Sequence, residues 1–361
     1  MRALVTGADG YIGALLGPLL LERGHDVVGV DTGYYRDGWL HHVGSPDLPA
    51  CMNKDIRKIT EEDLKGYEVV IHMAELSNDP LGQINPSVTY DINHMGSLEL
   101  ARKCKQAGVS RFVYTSSCSV YGTGSGEYKT EASEPNPQTA YAECKVRVEH
   151  DVSRLADSNF SPTFLRNATA YGPSPRMRFD LVLNNLAGLA WTTKQIRMTS
   201  DGTPWRPLAH VLDLCDAIAC TVEAPRDAIH NQIFNVGDSK ENYRVKEIAG
   251  IVSKVFPGCE MSLGNDRSDT RSYRVSFDKI QAQLPGFRCR RDALKGATEL
   301  RELFERMNLP REMFEFRAFT RLKQIEYLMK TGQIDDRFFW REGVNADRSG
   351  GRQTAPRGQG G

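Results

Sequence analysis

Residues 6–13 read Thr6-Gly-Ala-Asp-Gly-Tyr-Ile-Gly13, with glycines at positions 7, 10 and 13. The stretch follows a β-rich run, Ala3–Thr6, and opens a segment with helical spacing of apolar residues at Ile12, Leu15, Leu16, Leu19 and Leu20. Glycine lets a backbone turn tightly and approach a ligand without a Cβ in the way. The first turn of the following helix offers free N–H groups and the positive end of a dipole, which suits a pyrophosphate. A glycine pattern alone would describe any tight turn. Here a second strand candidate, Val27–Val30, ends at Asp31. An acid at that place accepts from both hydroxyls of an adenosine ribose and repels a 2′-phosphate. The joint spacing predicts a site for NAD rather than NADP, lined by Gly7, Gly10, Tyr11, Ile12, Gly13 and Asp31. Asp55-Ile56, ahead of the third strand, flanks the adenine in this reading.

Outward from that turn, short apolar strands alternate with helical patterns. Further strand candidates are Val69–Met73, Phe112–Thr115 and Thr163–Leu165. Their nearly continuous apolar character predicts an α/β fold around a parallel sheet buried on both faces. Pro18 falls inside the first helical segment, where it donates no backbone hydrogen bond and is expected to bend it; Gly24 follows as a C-cap. From about Tyr171 the pattern changes to Pro-, Arg- and Asn-rich stretches around two helical segments. The expected division is a dinucleotide-binding domain over 1–170, with 233–237 returning as a late strand, and a substrate-binding lobe over most of 171–342. Residues 343–361 are poor in large apolar groups and are expected to be a disordered tail.

The 46 basic and 46 acidic residues cancel, which argues against a nucleic-acid face. Eight cysteines occur without a C-x-x-C pair, and no histidines stand at ligand spacing, so neither a disulfide framework nor a metal site is expected. No stretch reaches the roughly 18 apolar residues of a membrane span, and the N-terminus carries no signal pattern. A cytoplasmic protein is expected.

Tyr141-Ala-Glu-Cys-Lys145 places a tyrosine and a lysine at i and i+4 of a predicted helix, on one face. A tyrosine ordinarily holds its proton to about pH 10; a nearby ammonium and a positive nicotinamide ring would stabilise its phenolate and make it a usable base. Upstream, Arg111–Gly122 reads as a strand ending in a hydroxyl-rich turn, Ser116-Ser-Cys-Ser119. Such carboxyl ends of strands are where open α/β sheets bind ligands, and Ser117 can donate to the oxygen that Tyr141 deprotonates. Ser117, Tyr141 and Lys145 are therefore the candidate catalytic residues.

With these motifs in order, the chain resembles the extended short-chain dehydrogenases, specifically the nucleotide-sugar epimerase/dehydratase group, over roughly residues 1–290. The resemblance also rests on His72-Met-Ala-Glu75, Asn93-x-x-Gly96-Ser97, Leu165-Arg166, Tyr171-Gly-Pro173, Arg206, His210-Val-x-Asp213 and Phe234-Asn-Val-Gly237. It implies a Rossmann doubly wound parallel sheet with a smaller C-terminal lobe, an NAD cofactor, a nucleotide-diphosphate sugar substrate and a homodimer closed by helices 87–107 and 140–157. It implies that Tyr141 and Lys145 also touch the cofactor, with Ala74 and Glu75 beside it, and that Asn93 holds a helix near the site. Arg206, and Arg267 or Arg271, would grip the diphosphate, for which a guanidinium fork is suited.

The departures bear on the reaction. Related 4,6-dehydratases carry an acidic pair where this chain has Cys118 and Ser119, so simple 4,6-dehydration is disfavoured. Galactose-type epimerases carry alanine at the place of Cys118, which reads as a packed residue at the substrate end rather than a catalyst. Thr169 replaces a frequent asparagine, Glu75 replaces a small residue, and Ser77-Asn-Asp-Pro80 faces the sugar in this reading. Ser77, Cys118, Ser119, Thr169, Arg206 and Arg271 form the expected substrate side. The leading expectation is an epimerase that transiently oxidises a sugar hydroxyl and recycles NAD. A dehydratase, a net dehydrogenase or reductase, and a non-catalytic NAD-binding regulator are the alternatives.

Overall fold

The computed structural model describes residues 1–41, 48–266 and 271–343. The expected tail from 344 onward, and Arg267, lie outside the described residues. Seven strands form one fully parallel sheet: β1 (Arg2–Thr6), β2 (Asp26–Asp31), β3 (Ala50–Asn53), β4 (Val69–His72), β5 (Arg111–Ser117), β6 (Ser161–Asn167) and β7 (Gln232–Val236). Their spatial order is β7-β6-β5-β4-β1-β2-β3, so the chain reverses direction across the sheet between β1 and β4. At such a switch point the connections leave in opposite directions and a crevice opens at the strands' carboxyl ends.

The strands are apolar because both faces are covered. Ala3 and Val5 point into a layer with Leu16, Leu20 and Val27, while Leu4 between them points into a layer with Val30, Val70 and Phe112. That alternation has the period of two of a pleated strand. On the first face lie the helices Gly13–Glu22 and Val211–Glu223; on the second lie Ser97–Gln106 and Ala140–Ser153. The helix Gly13–Glu22 runs through Pro18. Segment 87–107 is not one α-helix: Pro86–Thr89 is followed by a π-helical stretch, Tyr90–Gly96, before Ser97–Gln106.

A second core holds the lobe together. The helices Val182–Thr193, Val245–Val255 and Ala293–Met307 close around Leu183, Val252, Leu300 and Phe304. Trp205–His210 pairs in parallel with Thr169–Tyr171 and antiparallel with Asn242–Arg244, which ties the lobe to the strand ends.

The chain does not end in the lobe. Arg321–Lys330 and the segment to Trp340 return to the second face of the large sheet, where Ile325, Leu328, Ile334 and Phe338 join Leu4, Val30 and Val70. The hydroxyl of Tyr34 donates to the Phe338 carbonyl, Gln324 Nε2 donates to the Tyr34 carbonyl at 2.8 Å, and Trp340 Nε1 donates to the Thr32 carbonyl at 2.7 Å. The lobe expected over 171–342 therefore gives up its last twenty or so residues to the nucleotide-binding domain. An apolar helix face carries no mark of which of two cores it will join.

Phe338 is fully buried in this return. Phe338→Ala is expected to destabilise the fold by about 3–5 kcal/mol, the usual cost of a large core truncation. Urea unfolding would measure it, and a loss below about 1 kcal/mol would contradict the packing described.

Candidate active site

A cleft of about 690 Å³ runs along the carboxyl ends of β1, β2, β4, β5 and β6, between the sheet and the lobe. Its floor at one end is the glycine turn. Gly7 has φ +74° and donates its N–H to the Val30 carbonyl at 2.8 Å. A Cβ there would stand 3.0 Å from the Met73–Ala74 backbone, and one on Gly13 would collide with the Gly7 carbonyl. Backbone alone fits, which leaves a concave, side-chain-free surface. The helix Gly13–Glu22 starts behind it with no side-chain cap on its N-terminus, the arrangement that receives a phosphate.

Asp31 lies at the end of β2. Its carboxylate accepts from Asp9 N at 3.1 Å and Gly33 N at 2.7 Å. Burial and then the neighbouring Asp9 push its pKa up. Arg176 answers that charge by forking onto Asp9, with Nη2 at 2.5 Å and Nε at 3.2 Å. Asp55 and Ile56 line the same end; Asp55 caps its own turn through Arg57 N at 2.8 Å. These residues fit an adenosine with a free ribose diol, and the glycine cradle fits a diphosphate.

At the other end, β5 stops at Ser117 and the helix Ala140–Ser153 begins under a Thr139 cap, whose hydroxyl accepts from Ala142 N at 3.2 Å. That start sets Tyr141 at the mouth of the helix and Lys145 one turn deeper. Ser117 and Tyr141 both face the cleft here. Lys145 Nζ lies 5.4 Å from the Tyr141 ring centre, donates to the Thr115 carbonyl at 2.5 Å, and pairs with Glu75 Oε2 at 2.6 Å. Glu75 is almost wholly buried and also accepts from the Tyr114 hydroxyl at 2.5 Å. Burial pushes the Tyr141 pKa up, Glu75 and Asp79 add to it, and Ser117 and Arg178 oppose it. Burial likewise raises Glu75, with Lys145 pulling it back.

The residues expected on the substrate side come from both domains. Ser77, Ser119, Thr169, Arg206 and Arg271 all line the cleft. Ser119 Oγ and Asn167 Oδ1 are buried there with no hydrogen-bond partner among the described residues. Arg271 pairs with Asp79, and Arg206 Nη1 donates to the Arg271 carbonyl at 2.5 Å.

Two expected residues stand elsewhere. Cys118 points away from the cleft into the core beside the sheet, where its thiol donates to the Arg166 carbonyl at 3.1 Å. The residue after Ser117 begins a new turn, and with Ser117 facing the cleft its neighbour faces the packed layer; burial holds the thiol well above its ordinary pKa. Asn93 does not reach the cleft either. Its amide closes a two-point clasp on the Leu76 backbone, at 2.8 and 3.1 Å, and so fixes the loop after β4 that carries Glu75 and Ser77. Sequence reasoning missed Arg178, Asp180 and Arg321, which also line the cleft. Arg176-Met-Arg-Phe-Asp180, a charged run soon after Tyr171-Gly-Pro173, was a usable signal for the first two.

The sequence profile of the NAD dependent epimerase/dehydratase family matches residues 3–237. The chain belongs to that family of NAD-dependent nucleotide-sugar enzymes with a Rossmann-like fold. It is similar to a UDP-glucose 4-epimerase of Corynebacterium glutamicum, 30% identical over 71% of this chain and 80% of the relative. It is also similar to a UDP-glucose 4-epimerase of Mycolicibacterium smegmatis, 34% identical over 67% of this chain and 78% of the relative. Among solved structures, MoeE5 in complex with UDP-glucuronic acid and NAD superposes with a TM-score of 0.74 at 26% identity, covering 85% of this chain and 99% of that one. Among the described residues no helix is long and apolar enough to cross a membrane, and no cluster of His, Cys, Asp and Glu suits a metal ion.

The Glu75–Lys145 pair is sealed from solvent, so removing one partner strands the other charge. Glu75→Gln is expected to cost about 3–5 kcal/mol in chemical denaturation. Glu75→Gln combined with Lys145→Met should recover part of that. A single variant as stable as the parent would show that the pair is open to water.

Proposed function

We propose that this chain is a cytoplasmic nucleotide-sugar 4-epimerase that oxidises a sugar hydroxyl transiently and reduces the resulting ketone on its other face. The observation that carries the reading is the convergence of Ser117, Tyr141 and Lys145 at the carboxyl end of β5, beside a cleft that runs to Asp31. The UDP-glucose 4-epimerases to which the chain is similar favour a UDP-sugar as substrate. All eight cysteines are free, which supports a reducing compartment.

In this mechanism Tyr141 removes the proton of the reacting hydroxyl while Ser117 holds the same oxygen. Bound NAD supplies a reversible two-electron acceptor at the carbon. Lys145, fixed by Thr115 and Glu75, lends positive charge to the phenolate as it forms. Burial, with Glu75 and Asp79 adding to it, holds the Tyr141 pKa up, so Tyr141 keeps its proton in the resting site. The proton returns from Tyr141 to the ketone oxygen in the second half of the cycle. Arg206 and Arg271 hold the nucleotide diphosphate, and Asn167, Ser119 and Thr169 face the sugar.

Epimerisation is favoured over dehydration by how the acids are engaged. Glu75 is bound by Lys145 and Tyr114; Asp79 is bound by Arg271 and Thr139. Positions 118 and 119 offer a buried thiol and a hydroxyl, not carboxyl groups. A homodimer through segments 87–107 and 140–157 belongs to the same reading; Met95, 45% exposed on the first segment, supports it. A monomeric mass by light scattering would count against that dimer.

The purified protein, incubated with NAD+ and a panel of UDP-, GDP-, dTDP- and CDP-sugars, should yield an isomer of unchanged mass with no solvent deuterium at carbon. Loss of water would replace the epimerase with a dehydratase. Tyr141→Phe should lower kcat by about 10²- to 10⁴-fold with sugar affinity kept. A Tyr141→Phe enzyme of full activity would remove the proposed base.

A further inference from the structure

Several cations along the cleft have acidic partners. Lys54 pairs with Asp63, Lys145 with Glu75, Arg178 with Asp180 and Arg271 with Asp79. Arg321 is 4% exposed and lines the cleft, yet among the described residues no carboxylate pairs with its guanidinium. It lies flat on the Tyr35 ring, 3.8 Å from the ring centre. Burial, with Arg178 adding to it, lowers its pKa to about 10. A buried cation is costly unless an anion meets it.

Contacts place Arg321 along the cleft. Asp31, the acid at the adenosine end, is within electrostatic reach. On the other side its backbone N–H donates to Asp180 at 3.4 Å. Asp180 takes both Nε and Nη2 of Arg178 at 2.9 Å, and Arg178 Nη1 reaches Ser77 Oγ at 3.5 Å and acts on the Tyr141 hydroxyl. Arg321 therefore stands between Tyr35, on the loop that follows the ribose acid, and the Asp180–Arg178 pair on the side of the tyrosine. In a dinucleotide stretched between those two points, the midway group is the diphosphate. Arg321 is also the first residue of the helix Arg321–Lys330, and Thr320 and Leu322 line the cleft beside it.

We propose that Arg321, brought back from the C-terminal segment, binds the diphosphate of NAD across the cleft from the glycine turn. The dianion would then lie between the N-terminus of Gly13–Glu22 and, on the second side, a planar guanidinium fork. The residue lies well outside the family-matched segment, which ends at 237. The inference rests on the reading that places adenosine at Asp31 and the reacting end at Tyr141.

Calorimetry on the full chain, with NAD+, ADP-ribose, adenosine, UDP-glucose and UDP-glucuronate as probes, tests it. Arg321→Met should weaken NAD+ and ADP-ribose by about 10- to 100-fold, the loss of a charged hydrogen-bond set, and leave adenosine and both UDP-sugars unchanged. Arg321→Lys should retain part of the affinity, and the melting temperature of each variant reports its fold. ADP-ribose bound as tightly by Arg321→Met as by the parent would overturn the proposal. So would an equal loss of adenosine, which would mean that Arg321 only shapes the pocket. A selective loss of UDP-glucuronate with NAD+ unchanged would overturn it in favour of a sugar carboxylate. Failure of the parent chain to bind adenosine and ADP-ribose at all would sink the underlying placement of the cofactor as well.

Discussion

Everything in this molecule is arranged around backbone approaching backbone at the glycine turn. Gly7 lies against the Met73–Ala74 peptide, and Gly13 lies against the Gly7 carbonyl so closely that no Cβ fits. That contact joins the ends of β1 and β4, the two strands between which the sheet reverses. It therefore fixes where the crevice opens and how deep it is. Thr6 reinforces the junction: its hydroxyl bonds His72 Nδ1 at 2.7 Å and accepts from Met73 N and Ala74 N. His72 is held neutral by burial, which lowers its pKa to about 3. The floor of the cleft is thus rigid and uncharged before any polar side chain is placed above it.

Above that floor the site is built from buried ion pairs. Lys145–Glu75, Arg166–Glu149 and Arg178–Asp180 are each largely or wholly out of water. Such pairs contribute little net stability, because desolvation offsets much of the attraction. Their effect here is positional. Arg166 forks onto Glu149, Glu149 receives the Ser116 hydroxyl at 2.5 Å, and Arg166 also bonds the Tyr121 hydroxyl at 2.9 Å. The hydroxyl-rich turn after β5 is anchored from behind, so Ser117 faces the cleft with little freedom. A site that generates a reactive ketone needs this kind of dry, preset geometry.

The large sheet and its ligand end were legible in the sequence because their signals are local. A strand, a glycine turn and an acid closing the next strand would each be meaningless separately, but Gly7, Gly10, Gly13 and Asp31 act through their joint spacing. Tyr141 and Lys145 were equally visible as an i, i+4 pair. What local pattern could not reveal was direction across the fold. Cys118 and Ser119 are adjacent in the sequence, yet one enters the core and the other the cleft, because a 3-10 turn begins between Ser117 and them. Glu75 looked like a substitution beside the cofactor; its role as the counter-charge of Lys145 depends on a contact between residues far apart in the chain. Arg321 had no signal at all, since nothing in its helix says that the chain crosses back to the first domain.

That return changes how the cofactor end should be understood. In the proposed cycle the electrons taken from the sugar are given back to it, so an NAD that left between the two half-reactions would strand the ketone. The C-terminal segment attaches beside that end of the cleft, to the loop after Asp31 and to the turn after β3. Thr32 is held by Trp340, Tyr34 by Gln324 and Phe338, and Arg57 by the Arg337 carbonyl and the Phe339 ring. These bonds draw on a buried apolar seam of Ile325, Leu328, Ile334 and Phe338, worth about 1.5–3 kcal/mol per side chain. Moving Thr32 and Tyr34 therefore requires part of the core on the second face of the large sheet to separate. The same hydrophobic packing that stabilises the fold therefore also holds the backbone that follows Asp31.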